Sequence, residues 1–245
     1  MPRQLKYNQA IAKALISNAD GIIEAIDKYL AKADDELTDV LAYEGYADAE
    51  DSVEVINAMQ EEIAETLQNQ TDDLVEALAA DQDSGWAAAQ KKVSEMLDGD
   101  DIAEQVQEAA ADMFQTEVPK LATVYMQETD GDLVVDVIRQ RTKSWIASWS
   151  QRLGQLMKIN THQQITDIIQ RTIDQGESIE TLTRKIMDGG WRNEHYQARR
   201  VAVTEVLRAH SVAREEAIQQ SPSTDRKEWR HTGAHKNKPR PNHVD

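Results

Sequence analysis

Apolar residues recur at helical spacing through most of this chain, with little glycine or proline to interrupt them. Ile11, Leu15, Ile22, Ile23, Ile26 and Leu30 follow one such stripe, and Val53, Val55, Ile56, Met59, Ile63 and Leu67 another. A period of about 3.6 residues puts these side chains on one face of a helix, and a one-sided helix must bury that face against a neighbour. The 245 residues include only 10 Gly, 5 Pro and 1 Phe, while Ala, Gln, Glu, Asp, Ile and Leu abound. That is the composition of long helices, so the predicted class is mainly α. The length suits one large domain or two ordinary ones.

Asp/Gly clusters punctuate the pattern. Asp81-Gln82-Asp83-Ser84-Gly85, Asp98-Gly99-Asp100-Asp101 and Thr129-Asp130-Gly131-Asp132 carry turn chemistry, which predicts long antiparallel helices joined by tight connections. Residues 8–80 read as two or three helices. In the next helix Val134, Ile138, Trp145, Trp149, Leu153 and Leu156 share a stripe, while Arg139, Arg141, Lys143 and Arg152 lie mostly off it. Trp145 and Trp149, one turn apart, suit a packing or subunit seam better than base stacking. Thr161-His162-Gln163-Gln164 is a capping box and predicts a new helix start. Another helix is expected from Ser178 through Ile179, Leu182 and Ile186 to an elbow at Gly189-Gly190, and one more from Tyr196 to Gln220. Beyond Ser221-Pro222-Ser223-Thr224 aliphatic residues thin out and Pro239 and Pro241 appear, so the expected C-terminal module is small and irregular or α+β, and incomplete at its end.

The net charge of −17 is unevenly spread. Residues 1–130 hold 8 Lys+Arg against 30 Asp+Glu, and residues 131–245 hold 19 against 14. The acidic part would repel a nucleic-acid backbone and favours solubility or a basic partner, although a solvated helical surface is by itself the simpler and favoured account. The second part is able to lie near phosphate. The absence of cysteine rules out disulfides and thiolate metal sites and is compatible with a reducing cytosol. With no apolar run of about 18 residues and no signal-peptide h-region at Met1-Pro2-Arg3-Gln4-Leu5, a soluble protein without membrane contact is expected.

Two places carry chemistry of interest. Glu205 falls within a stripe of small residues formed by Ala198, Val201, Ala202, Ala209, Val212 and Ala213. A carboxylate there must be paired, hydrogen-bonded or protonated, because an unpaired buried charge costs several kcal/mol, and Arg208 one turn on is the obvious partner. His231, His235 and His243, with Asp245 beside the last, form a weak pattern for a zinc-like ion. No GxSxG elbow, P-loop, GxGxxG, HExxH or cysteine nucleophile is present, so no catalytic residue and no cofactor is assigned.

The order of features resembles the Mu F-like head morphogenesis domain of minor head proteins of tailed bacteriophages. The carriers are Ser178-Ile179-Glu180-Thr181-Leu182-Thr183-Arg184-Lys185-Ile186, the Gly189-Gly190 pair, Ala202-x-Thr204-Glu205, Lys227-x-Trp229 and Arg240-x-x-His243-x-Asp245, over about residues 178–245. Val203 stands where such proteins usually have arginine, so any role of that guanidinium is missing or transferred to Arg199, Arg200 or Arg208. The resemblance implies a virion protein inside the head near the portal vertex, present in host cytoplasm during assembly, that acts in head assembly and in DNA packaging or ejection. Its implied partners are the portal protein, capsid or scaffold proteins and packaged DNA, with self-association through the helical arm. The organisation expected is an acidic arm over 1–130, connecting helices over 131–177 and the Mu F-like domain over 178–245. Arg226, Lys227, Arg230, Lys236, Lys238 and Arg240 are the candidate nucleic-acid or portal contacts. Two other readings stay open: a metal-dependent nuclease or toxin-like enzyme built on the histidines, and a generic helical adaptor.

Overall fold

The computed structural model describes residues 34–80, 85–135 and 137–224, apart from the side chains of 189–193. Every regular element among them is an α-helix: α1 over 34–43, α2 Ala49–Ala80, α3 Trp86–Asp98, α4 Asp101–Gln127, α5 Gln140–Asp174 and α6 Ile179–Gln220. The mainly α reading therefore holds. The Asp/Gly clusters at 98–101 and 129–132 fall between helices as their turn chemistry requires, and the expected C-terminal module lies outside the described residues.

Four long helices close a ring, α2 against α6, α6 against α5, α5 against α4 and α4 against α2, with α4 also meeting α6 across the middle. Ring neighbours run antiparallel where their partners show it. On α2 and α6, Ser52 meets His210 while Thr71 meets Glu194; on α4 and α5, Phe114 meets Trp145 while Asp100 meets Lys158. The main core gathers Ile56, Ile63, Leu67, Val106, Phe114 and Val118 against an alanine stripe of α6, Ala198, Ala202, Ala209, Ala213 and Ala217. Small residues let the α6 backbone come close, and each large apolar side chain buried there contributes about 1.5–3 kcal/mol. A second, smaller core joins Leu74 and Leu78, Val93 and Leu97, Ile165 and Ile169, and Leu182 and Ile186. The tightest helix contact is at Gly154, where a Cβ would stand 2.1 Å from the carbonyl oxygen of Ala103.

Three sequence expectations change. First, α5 starts at Gln140, so Val134 and Ile138 precede the helix, and Leu156 is 42% exposed at the far end of the expected stripe. Second, Thr161 does not start a helix: its hydroxyl donates to the carbonyl of Met157 one turn back, inside an unbroken α5. A capping box needs a free helix end, and no glycine or proline near Thr161 supplies one. Third, Gly189-Gly190 makes no elbow, because α6 runs through it as one helix of 42 residues. Glycine inside a helix costs about 1 kcal/mol relative to alanine, which the packing of α6 in both cores offsets.

Candidate functional site

In the main core α6 carries three buried polar side chains that bond to other helices, Glu205 and Glu216 to α5 and His210 to α2 and α4. Glu205, 3% exposed, accepts from Trp149 Nε1 at 2.6 Å and from Arg208 Nε at 2.9 Å. The Arg208 guanidinium also lies 4.1 Å above the centroid of the Trp149 ring, so cation, indole and carboxylate form one closed contact between α5 and α6. The Glu205–Arg208 pair is thus real, and its third member comes from α5. Trp149 and Trp145 stack nearly parallel with centroids 6.2 Å apart, and Trp145 meets Phe114 edge-on at 5.3 Å. Both tryptophans are half-buried packing residues.

His210 is fully buried, with Nδ1 2.7 Å from Tyr125 Oη and Nε2 2.8 Å from Ser52 Oγ. Tyr125 Oη accepts from the Ala47 amide at 3.2 Å, which leaves its proton for Nδ1 and assigns the imidazole proton to Nε2. Burial and the nearby Arg214 cation lower the His210 pKa to about 4, so the ring is neutral near pH 7. Arg214 sits 4.5 Å above the Tyr125 ring and donates to the carbonyl of Gly45. This network ties α6 to α2, α4 and the α1–α2 turn. Ser52 and His210 are shielded from solvent at 4% and 0% exposure, which makes the trio a structural contact, not a nucleophile with its base.

Glu216, fully buried, holds the start of α5. It accepts from the Arg139 amide at 2.7 Å, from Thr142 Oγ1 at 2.5 Å, from Gln220 Nε2 at 2.7 Å and from Arg139 Nε at 3.2 Å. Burial works to raise its pKa, but these donors outweigh it and the carboxyl stays below the usual range. Arg139 is the N-cap of α5 and has no side-chain cap of its own, so an anion from another helix stands at the positive helix end. Arg199 completes the set on the opposite side, donating to Asp34, Asn57 and, at 3.2 Å, Gln60.

Residues 163–245 match the family of phage Mu protein F like proteins. The Mu F-like stretch starts 15 residues before the point at which the sequence motifs suggested it, and within the described residues it takes in the last part of α5 and all of α6. An uncharacterized protein of Bacillus subtilis (strain 168), YqbB, is 38% identical over 146 residues, which is 60% of this chain and 48% of that protein. The chain thus spans about half the length of this relative. No solved structure matches.

The Mu F-like motif residues have distinct surroundings. Ala202 is fully buried in the alanine stripe, Glu205 sits in the α5 contact, and Thr204 is exposed with its hydroxyl bonded to the Arg200 carbonyl. Val203 packs against the main core, and the cations near the motif are Arg208 on Glu205, Arg199 on α1 and α2, and exposed Arg200, 5.7 Å from the centroid of the Tyr196 ring. Trp229, Arg240, His243 and Asp245, the histidines His231 and His235, and the cations Arg226, Lys227, Arg230, Lys236 and Lys238 lie outside the described residues. Sequence reading missed His210 and Glu216. The signal was present: Glu216 lies 18 residues after Ala198, five turns of helix, and so shares its angular position.

Proposed function

We propose that this chain is a minor head protein of a tailed phage, held near the portal vertex and acting in head assembly, with a further part in DNA packaging or ejection. The match of residues 163–245 to phage Mu protein F like proteins carries the reading. Support comes from the role of α6 as organiser of the bundle: the matched segment supplies the alanine stripe and the three buried polar contacts that set the other helices around it. Such a segment presents a fixed helical surface to a partner, which suits a structural component better than a catalyst. The acidic arm and the basic C-terminal stretch then face different partners, the arm meeting the portal or further copies and the stretch meeting DNA or the portal's inner surface.

The test is co-purification. Immobilised portal rings from the same phage should retain the chain across about 0.1–0.5 M salt, and imaging of portal complexes should find helical density on the ring. Failure of the rings to retain it at any salt in that range would overturn the reading.

A further inference from the structure

The ring order of the four helices puts the α2/α4 seam and the α5/α6 seam on opposite faces of the bundle. The two seams carry opposite chemistry. On α5/α6 an open groove holds two cavities of about 420 and 530 Å³, one on each side of the Trp149–Arg208 contact. The lining of the first includes Arg141 and Trp145 of α5 with Val212 and Glu215 of α6, that of the second Asn160 and Gln164 of α5 with Tyr196, Arg200 and Glu205 of α6. From Thr142 to Gln164 this is about 33 Å of helix at 1.5 Å per residue, the length of several turns of a docked neighbour. Arg141 and Arg152 are 11 residues apart, three turns on one face of α5, and both are exposed without a carboxylate partner among the described residues. Leu156 continues their stripe at 42% exposure, and Tyr196 on α6 is 63% exposed.

The α2/α4 seam has the reverse charge. Glu62, exposed on α2, has its carboxyl raised above the usual value first by partial burial and then by repulsion from Asp112 and Glu108 of α4 and from Glu65 of its own helix; all four residues are exposed. No described cation pairs with any of the four, and Lys91, Lys92 and Lys120 are the sole described cations of residues 34–130. The four acidic groups of that seam thus have no described cation of their own, whereas the α5/α6 groove sets Arg141 and Arg200 beside carboxylates that are already bonded within α6, Glu205 to Arg208 and Glu215 to Gln219.

We propose that the α5/α6 groove receives the acidic α2/α4 seam of a second copy of this chain. The unlike faces join head to tail, so association builds a ring or an open row and not a two-fold dimer. Apolar Trp145, Leu156 and Tyr196 between the arginines fit helix side chains better than a bare phosphate backbone. The net charge of −17 opposes approach at long range, but salt near 0.15 M screens it beyond about 8 Å and leaves the close pairs in force.

Sedimentation velocity of the 245-residue chain tests this. Association is expected at about 0.15 M salt and dissociation at about 1 M. The variants Arg141→Glu/Arg152→Glu and Glu62→Lys/Glu108→Lys should each weaken self-association roughly tenfold or more, and an equimolar mixture of the two should restore it. Circular dichroism checks that both fold; where a reversed variant does not, Arg141→Gln/Arg152→Gln must weaken association in the same direction. A chain that stays monomeric at every salt, variants that associate like the parent, or a mixture that fails to recover would each overturn the proposal. So would a short DNA duplex retained by the monomer and lost with Arg141→Glu/Arg152→Glu, which would assign the groove to phosphate.

Discussion

The two cores of this bundle share α2, α5 and α6 but are built by different means. In the smaller core α6 contributes Ile179, Leu182 and Ile186 to an apolar cluster, and the buried hydroxyls nearby, Thr172 and Thr183, bond the carbonyls of Ile168 and Ile179 in their own helices. In the main core the same helix offers alanines, and Glu205, His210 and Glu216 each bond across to another helix. Apolar contact is non-directional and tolerates repacking. A buried carboxylate or imidazole does not, because losing one partner leaves the other unsatisfied at a cost of about 1–3 kcal/mol or more. The main core therefore fixes the rotation and register of α6, and the smaller core extends the bundle without that constraint.

The largest effect expected from breaking this contrast is steric. Gly154→Ala gains about 1 kcal/mol in helix propensity but drives a Cβ into the Ala103 carbonyl, so the α4–α5 contact must open. A net loss of about 3 kcal/mol is expected from urea unfolding. Next, Glu216→Ala removes the anion at the α5 start and strands Arg139 and Thr142, with an expected loss of about 3 kcal/mol in the same assay. A loss under 1 kcal/mol would mean that α5 does not depend on α6 for its cap.

The third expectation concerns pH. His210 titrates at about 4 in the folded chain, below its ordinary 6.5, so the unfolded chain binds its proton first as pH falls. Stability is fully present above about pH 6.5 and declines by about 3 kcal/mol as pH falls to about 4. Glu216 acts in the same direction in a lower window, since its depressed pKa gives stability above the ordinary carboxylate value that is lost as pH falls through the folded one. His210→Gln should flatten the slope between pH 6.5 and 4; an unchanged slope would remove His210 from this role. The smallest effect belongs to the apolar core, where Leu182→Met should cost less than about 1.5 kcal/mol and leave the pH profile unchanged.

Legibility followed the range of the physics. The periodicity of α2 and the Asp/Gly breaks before and after α4 are local signals, and they were readable. Thr161 and the Gly189-Gly190 pair were also local signals, yet neither ends a helix: Thr161 bonds back to Met157 within an unbroken α5, and the glycine pair stays helical in an α6 that packs in both cores. Glu205 was legible as a carboxylate in a small-residue stripe, with Arg208 as its near partner. Trp149 was not, because 56 residues separate it from Glu205.

By itself the sequence determined helical class, turn positions, the charge asymmetry and the motif order that resembles Mu F-like proteins, since each depends on neighbours within a few turns. Tertiary structure decided which polar groups lie inside, which helices they tie together, and that the acidic and basic seams stand on opposite faces. Those outcomes depend on pairs far apart in the chain, such as Ser52 with His210 and Arg139 with Glu216, and only packing brings such pairs within hydrogen-bond reach.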